Sequence, residues 1–103
     1  MTEIWHRKQP TFTLYTDKDI VEHRLAWLSE GYKKVATVDV IPEGYTEEDY
    51  AYYVTNTIEH RWVDNKGVTP IGRDHRSTSV GDIIKCTDGK VLLCAPLGWE
   101  IIG

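Results

Sequence analysis

Arg76-Ser77-Thr78-Ser79-Val80-Gly81-Asp82-Ile83-Ile84 carries the chain out of a long polar loop and into apolar strands. Three hydroxyls, a glycine and an aspartate in near succession are costly to order unless their side chains bond the local backbone, so the stretch reads as a built corner. Ser79 suits the N-cap of a single helical turn, with Asp82 at N3 and Gly81 permitting close backbone approach. Beyond the corner, Ile83-Ile84-Lys85-Cys86-Thr87 and Lys90-Val91-Leu92-Leu93-Cys94 flank Asp88-Gly89, the strongest hairpin signal in the chain. A two-residue turn sets Cys86 opposite Val91 and Cys94 opposite Ile83, on opposite faces of the ribbon, which excludes a disulfide between them. A three-residue loop puts the thiols on the same face. Ala95-Pro96-Leu97-Gly98 turns the chain again, and Trp99 to Ile102 adds a last strand.

Upstream, Phe12 and Leu14 alternate with Thr11, Thr13 and Tyr15, as in a short strand. Thr16 then N-caps a helix over about residues 17–30, with Asp19 completing a capping box. Val21, Leu25 and Leu28, flanked by Ile20 and Trp27, make the apolar stripe, with Glu22, His23 and Glu30 opposite and Gly31 stopping the helix at C′. Tyr32 to Ile41 reads as a strand with Ala36, Val38 and Val40 buried. Pro42-Glu43-Gly44 ends it, and a second capping box, Thr46 with Asp49, opens a helix whose face is Tyr50, Tyr53, Val54 and Ile58 and which stops near Asn56. Glu59 to Ser77 shows neither period, with turns at Asn65-Lys66-Gly67 and Pro70-Ile71-Gly72. The order β-α-β-α-loop-β-β-β implies an α+β fold, a mostly antiparallel sheet of about four to five strands with two helices packed on it.

A chain of 103 residues with 41% apolar content suits one domain, residues 1–103, that buries its core without disulfides or metal. No stretch reads as a signal peptide or a membrane span, which implies an intracellular protein. The two cysteines read as small buried hydrophobes in a reducing compartment. Net charge is −4, and Asp39 to Glu59 carries Asp39, Glu43, Glu47, Glu48, Asp49 and Glu59 with no Lys or Arg. That balance disfavours nucleic acid as a general partner, although Arg61, Lys66, Arg73 and Arg76 make the following loop modestly basic.

The corner places Ser77, Thr78 and Ser79 beside Asp74, His75 and Asp82, but a nucleophile elbow needs glycines on both sides of its serine, and position 77 is Ser. His60, Asp64, Asp74 and His75 have ligand chemistry without the spacing of a metal site. Walker and dinucleotide glycine patterns are absent; Arg76 with the following N–H groups could hold a small anion or a nucleic-acid phosphate, against the charge of Asp82. No catalytic residue, metal or cofactor is therefore assigned. Surface recognition is the better match, because His60-Arg61-Trp62 and Arg73-Asp74-His75-Arg76 bracket the irregular loop with the residue types that anchor interfaces. The expected contact residues are His60, Arg61, Trp62, Arg73, His75, Arg76 and Ser77, with Ser79, Gly81 and Asp82 as the structural corner.

The string from Tyr53 to Trp62, the Arg76–Asp82 corner and Gly98-Trp99 resemble small proteins of unassigned function encoded by actinobacterial bacteriophages. Residues from about 45 to 103, with the Ser-x-Ser-Val-x-Asp-Ile-Ile corner, hairpin and Gly-aromatic strand, are also similar to the YodL-like domain of small bacterial and mobile-element proteins. The resemblance implies a non-enzymatic accessory protein, working in the cytoplasm of the bacterial host, that binds a host protein; members similar to YodL are linked to interference with cell-shape machinery. An exposed edge at the final strand fits either a monomer or a homodimer. The alternatives are a nucleic-acid-binding accessory protein and, third, a small hydrolase or metal-dependent enzyme.

Overall fold

The middle of the sheet is Thr2–Arg7 (β1), a strand that no apolar run announces. Its inward residues Thr2, Ile4 and His6 are all buried, yet only Ile4 is aliphatic, which is why the alternation is easy to overlook. The computed structural model describes residues 1–8, 17–56, 67–72, 76–96 and 98–103, the side chains of residues 17–19 excepted. After β1 come α1 (Asp17–Leu28), β2 (Tyr32–Val38), α2 (Glu47–Thr55), β3 (Val68–Pro70), β4 (Ile83–Lys85), β5 (Val91–Ala95) and β6 (Gly98–Ile101). The six strands pair antiparallel in the order β3-β2-β1-β4-β5-β6. Among the described residues the fold is α+β with six strands, rather than the four to five expected, because β1 and the short β3 carry no periodic signal. β3 lies within the stretch expected to lack regular structure; a three-residue edge strand ending in Pro70 is too brief to show a period. The strand expected at 11–15 and the Thr16 cap lie outside the described residues.

The helices pack on opposite faces of the sheet. Ala51 and Val54 of α2 join Ile4, Val35, Ala36, Val38, Ile84 and Leu92 on one side, while Ile20, Ala26 and Trp27 of α1 join Trp5, Tyr32, Ile83, Val91 and Leu93 on the other. Adjacent Ile83 and Ile84, both fully buried, serve the two cores separately. A bulge leaves Val35 without a partner on β1, between Ala36 opposite Ile4 and Lys34 opposite Trp5, so Val35 and Ala36 are both buried and strict alternation breaks. β2 ends at Val38, opposite Val68 where β3 begins, and Val40 is exposed rather than buried.

α1 is rotated away from the face that hydrophobicity predicts, whereas α2 keeps Tyr50 and Val54 of its expected face on the core. Val21, Leu25 and Leu28 of α1 are 53%, 60% and 72% exposed, whereas His23, expected outside, is buried. On α2 the buried residues are Ala51, Val54 and Thr55, and Tyr53 points outward. Local caps set the ends. The Thr46 hydroxyl accepts from Asp49 N at 3.2 Å, and α2 closes at Asn56. α1 ends in a Schellman motif, with Gly31 N–H on Ala26 O at 2.6 Å and Glu30 N–H on Trp27 O at 3.4 Å. Glu30, at φ 64°, is thus the C′ residue and Gly31 is C″, one place later than expected. Glycine is still required there, because a Cβ at position 31 would lie 2.9 Å from Ala26 O.

Glu47 ties the first turn of α2 to β1 and to the hairpin tip. Its Oε1 accepts from the Thr2 hydroxyl at 2.6 Å and from the Thr87 N–H and hydroxyl at 3.0 and 2.5 Å. Burial alone would raise its pKa, but these hydrogen bonds outweigh it and hold the carboxyl below its ordinary value.

The hairpin register differs from the two-residue expectation. Lys85 pairs with Val91, Gly89 N–H bonds Cys86 O at 3.0 Å, and Gly89 takes φ 92°, a three-residue loop closed by a left-handed glycine. Cys86 and Cys94 therefore share a face. They stay free because Cys86 lies opposite Lys90, four residues and about 13 Å along β5 from Cys94. Burial, together with neighbouring carboxylates, pushes both thiols up to about 12. With so little thiolate at about pH 8, a disulfide-exchange reagent is expected to label the native protein far more slowly than the unfolded one, and to titrate both thiols in denaturant without reductant. Rapid native labelling, or fewer than two thiols on unfolding, would contradict this register.

Candidate functional site

At the centre of the corner is the carboxylate of Asp82, which is 1% exposed. Oδ1 accepts from Arg7 N at 3.0 Å and Arg76 Nη2 at 2.6 Å; Oδ2 accepts from Arg76 Nη1 at 2.6 Å and Ser79 N at 2.8 Å. The fork-to-fork pair is the strongest polar geometry available to an arginine and a carboxylate. Asp82 N–H also bonds Ser79 O at 3.0 Å, which closes the turn. Arg76 spends its remaining donors on Ser77 O, the Ser79 hydroxyl and Arg7 O, leaving about a third of the side chain (34%) exposed. Arg76, read from sequence as a contact residue, is thus the counter-ion of a buried aspartate, and Ser77 supports it through its carbonyl. His60, Arg61, Trp62, Arg73 and His75 lie outside the described residues.

From Asp82 the polar core extends through the sheet to both helices. On the α2 side, His6 Nε2 lies 2.9 Å from the Thr78 hydroxyl, which is 2.7 Å from the Thr55 hydroxyl, which donates to Ala51 O at 2.6 Å. Each hydroxyl has one proton. Thr55 gives its proton to the carbonyl, so Thr78 must donate to Thr55, and His6 must donate from Nε2 to Thr78. Those three side chains are at most 1% exposed. On the α1 side, Arg7 Nη1 donates to His23 Nδ1 at 2.8 Å and Nη2 to the exposed Glu22 at 2.7 Å, while Tyr32 donates its hydroxyl to Gly81 O at 2.6 Å. His23 is what rotates α1: it turns inward to meet Arg7 of β1 and Tyr32 of β2, and the aliphatic side chains of that helix are carried outward.

Although His6, Asp82 and Thr78 have the residue types of a hydrolytic triad, the proton order is the reverse of the one a nucleophile needs. Activation requires histidine to accept the hydroxyl proton, and here it donates. With all three buried, no substrate reaches them. Among the described residues no three His, Cys, Asp or Glu side chains gather as metal ligands, and no helix is long and apolar enough to cross a membrane.

What reaches solvent is a different surface. Trp5, Trp27 and Tyr32 meet edge-to-face, at 5.2 and 5.9 Å between ring centroids, and with Lys8, Leu28 and Glu30 they line a cleft of about 440 Å³. Leu28 is also the last member of the outward row Val21-Leu25-Leu28, so an apolar strip along α1 runs into an aromatic cleft with one ammonium and one carboxylate on its rim. Its sequence signal is the helical stripe itself, which faces solvent instead of the core. No protein-family model, no curated protein and no solved structure matches this chain.

Proposed function

We propose that the chain is a small phage-encoded accessory protein that acts by binding a host protein in the bacterial cytoplasm, without chemistry of its own. The observation that supports this reading is the outward apolar row of α1 leading into the Trp5-Trp27-Tyr32 cleft. Three large aliphatic side chains more than half exposed in one line are an unusual cost for a small domain unless a partner covers them. Aromatic walls at the end of that line supply the pocket in which interfaces concentrate their binding energy. Nucleic acid is the weaker alternative, because the chain is acidic overall and Arg76 is committed to Asp82.

The test is a pull-down of tagged protein from extract of a host whose growth it slows, followed by affinity measurement on the purified partner. Leu25→Glu with Leu28→Glu is expected to weaken binding about tenfold or more and to relieve the growth defect. Both residues are exposed, so circular dichroism should be unchanged. Wild-type affinity in that variant, or a retained species that proves to be nucleic acid lost steeply with salt, would overturn this function.

A further inference from the structure

On the opposite side of the sheet from the cleft, α2 presents a second surface made of tyrosine. Tyr45, Tyr50 and Tyr53 touch one another, with ring centroids 5.1, 6.2 and 6.4 Å apart. Tyr50 packs against the core and anchors the group, while Tyr45 and Tyr53 are 48% and 61% exposed. Nothing in core packing requires the two outer rings. Tyrosines held in contact present rigid area that loses little side-chain entropy when covered, as expected of an interface anchor.

Charge decides what can cover them. Between Asp39 and Asn56 the chain has five carboxylates and neither lysine nor arginine. Glu47, Glu48 and Asp49 are engaged within the fold, by Thr2 with Thr87, by the Cys86 thiol and by Trp99 respectively. Asp39 and Glu43 are exposed, Glu43 two residues ahead of Tyr45. An acidic peptide or a phosphate backbone is repelled by this field; a cation is drawn to it. The outer ring faces add a preference between cations, because a planar guanidinium stacks on tyrosine while keeping its edge donors for carboxylates, and a hydrated ammonium does so poorly. We propose that the Tyr45-Tyr50-Tyr53 face is a second binding surface, for an arginine-rich segment of a protein. It is independent of the α1 cleft, so one molecule can engage both occupants at once.

Fluorescence anisotropy of a labelled octa-arginine peptide against the full chain tests this, with octa-lysine as the matched arm. Arginine peptide is expected to bind about fivefold tighter or more than lysine peptide, and to weaken with added salt. Tyr45→Ala with Tyr53→Ala keeps every carboxylate; it should lose the arginine preference and about tenfold in affinity. Tyr45→Phe with Tyr53→Phe should bind as wild type, because the ring faces remain. Leu25→Gln with Leu28→Gln, which alters the α1 strip without changing the charge, should leave peptide binding unchanged, which separates this surface from the one on α1. Equal affinity for the two peptides, or unchanged binding by the alanine pair with wild-type circular dichroism, would overturn the proposal.

Discussion

Asp82→Ala is expected to remove about 3–5 kcal/mol of folding stability, measured by urea unfolding followed through tryptophan fluorescence. Two effects compete at this site. Exchanging a buried ion pair for well-packed apolar groups is often neutral, but removing one member strands the other, and stranding is the larger effect. Alanine strands the Arg76 guanidinium and leaves Arg7 N and Ser79 N without their acceptor. Asp82→Asn preserves volume yet offers one oxygen where two accept four donors, so it should be nearly as damaging. Arg76→Ala strands the carboxylate itself, and the Asp82→Ala/Arg76→Ala pair should cost less than the sum of the singles. Glu22→Gln is the control: its ion pair with Arg7 involves a side chain 58% exposed and should matter by less than about 1 kcal/mol. A loss below about 1 kcal/mol for Asp82→Ala would mean that the corner is not the joint its geometry implies.

Elements governed by local chemistry are legible in the sequence. Thr46 with Asp49 marks the start of α2, Asn56 its end, and Asp88-Gly89 the hairpin. Each depends on a few adjacent residues, and hydrophobic pattern adds only direction. Pattern fails where the core is polar. β1 buries Thr2 and His6 beside one isoleucine, so the strand at the centre of the sheet has the composition of a surface segment. α1 shows an amphipathic stripe that is real but faces solvent, because His23 has Arg7 and Tyr32 to meet and Leu25 has no described partner inside. Of the anticipated contact residues, Arg76 pairs with Asp82 six residues on while about a third of it stays exposed; what draws that pair into the core is the distant fact that Arg7 of β1 arrives beside Asp82. No local window contains that information.

The polar core thereby couples the corner to the Trp5-Trp27-Tyr32 cleft. Tyr32 donates to Gly81 O while its ring walls the cleft, and His23, held by Arg7, sets the rotation that turns Leu25 and Leu28 outward. A disturbance at the corner should reach the cleft through a few packed groups with little freedom to adjust.

Gly81→Ala is the cleanest probe of that coupling, and it should cost about 2–4 kcal/mol. Two penalties add. Residue 81 sits at φ 97°, which an L side chain rarely adopts, and a Cβ there would lie 3.0 Å from His23 Cε1. The imidazole cannot easily give way, because Nδ1 lies 2.8 Å from Arg7 Nη1 and 2.9 Å from the Tyr32 hydroxyl. Gly44→Ala isolates the first penalty: φ is 94°, but nothing lies within 4 Å of its Cβ, so only backbone strain of about 1 kcal/mol is expected. The excess of the first variant over the second measures the contact with His23. If that contact is the cause, Gly81→Ala combined with His23→Ala costs less than the sum of the singles. Near-ultraviolet dichroism from the Trp27–Tyr32 pair should change in Gly81→Ala and stay native in Gly44→Ala, since only the former pushes α1 against the rings that shape the cleft. Equal losses in the two glycine variants, with the Trp27 signal intact, would show that the corner and α1 are energetically separate.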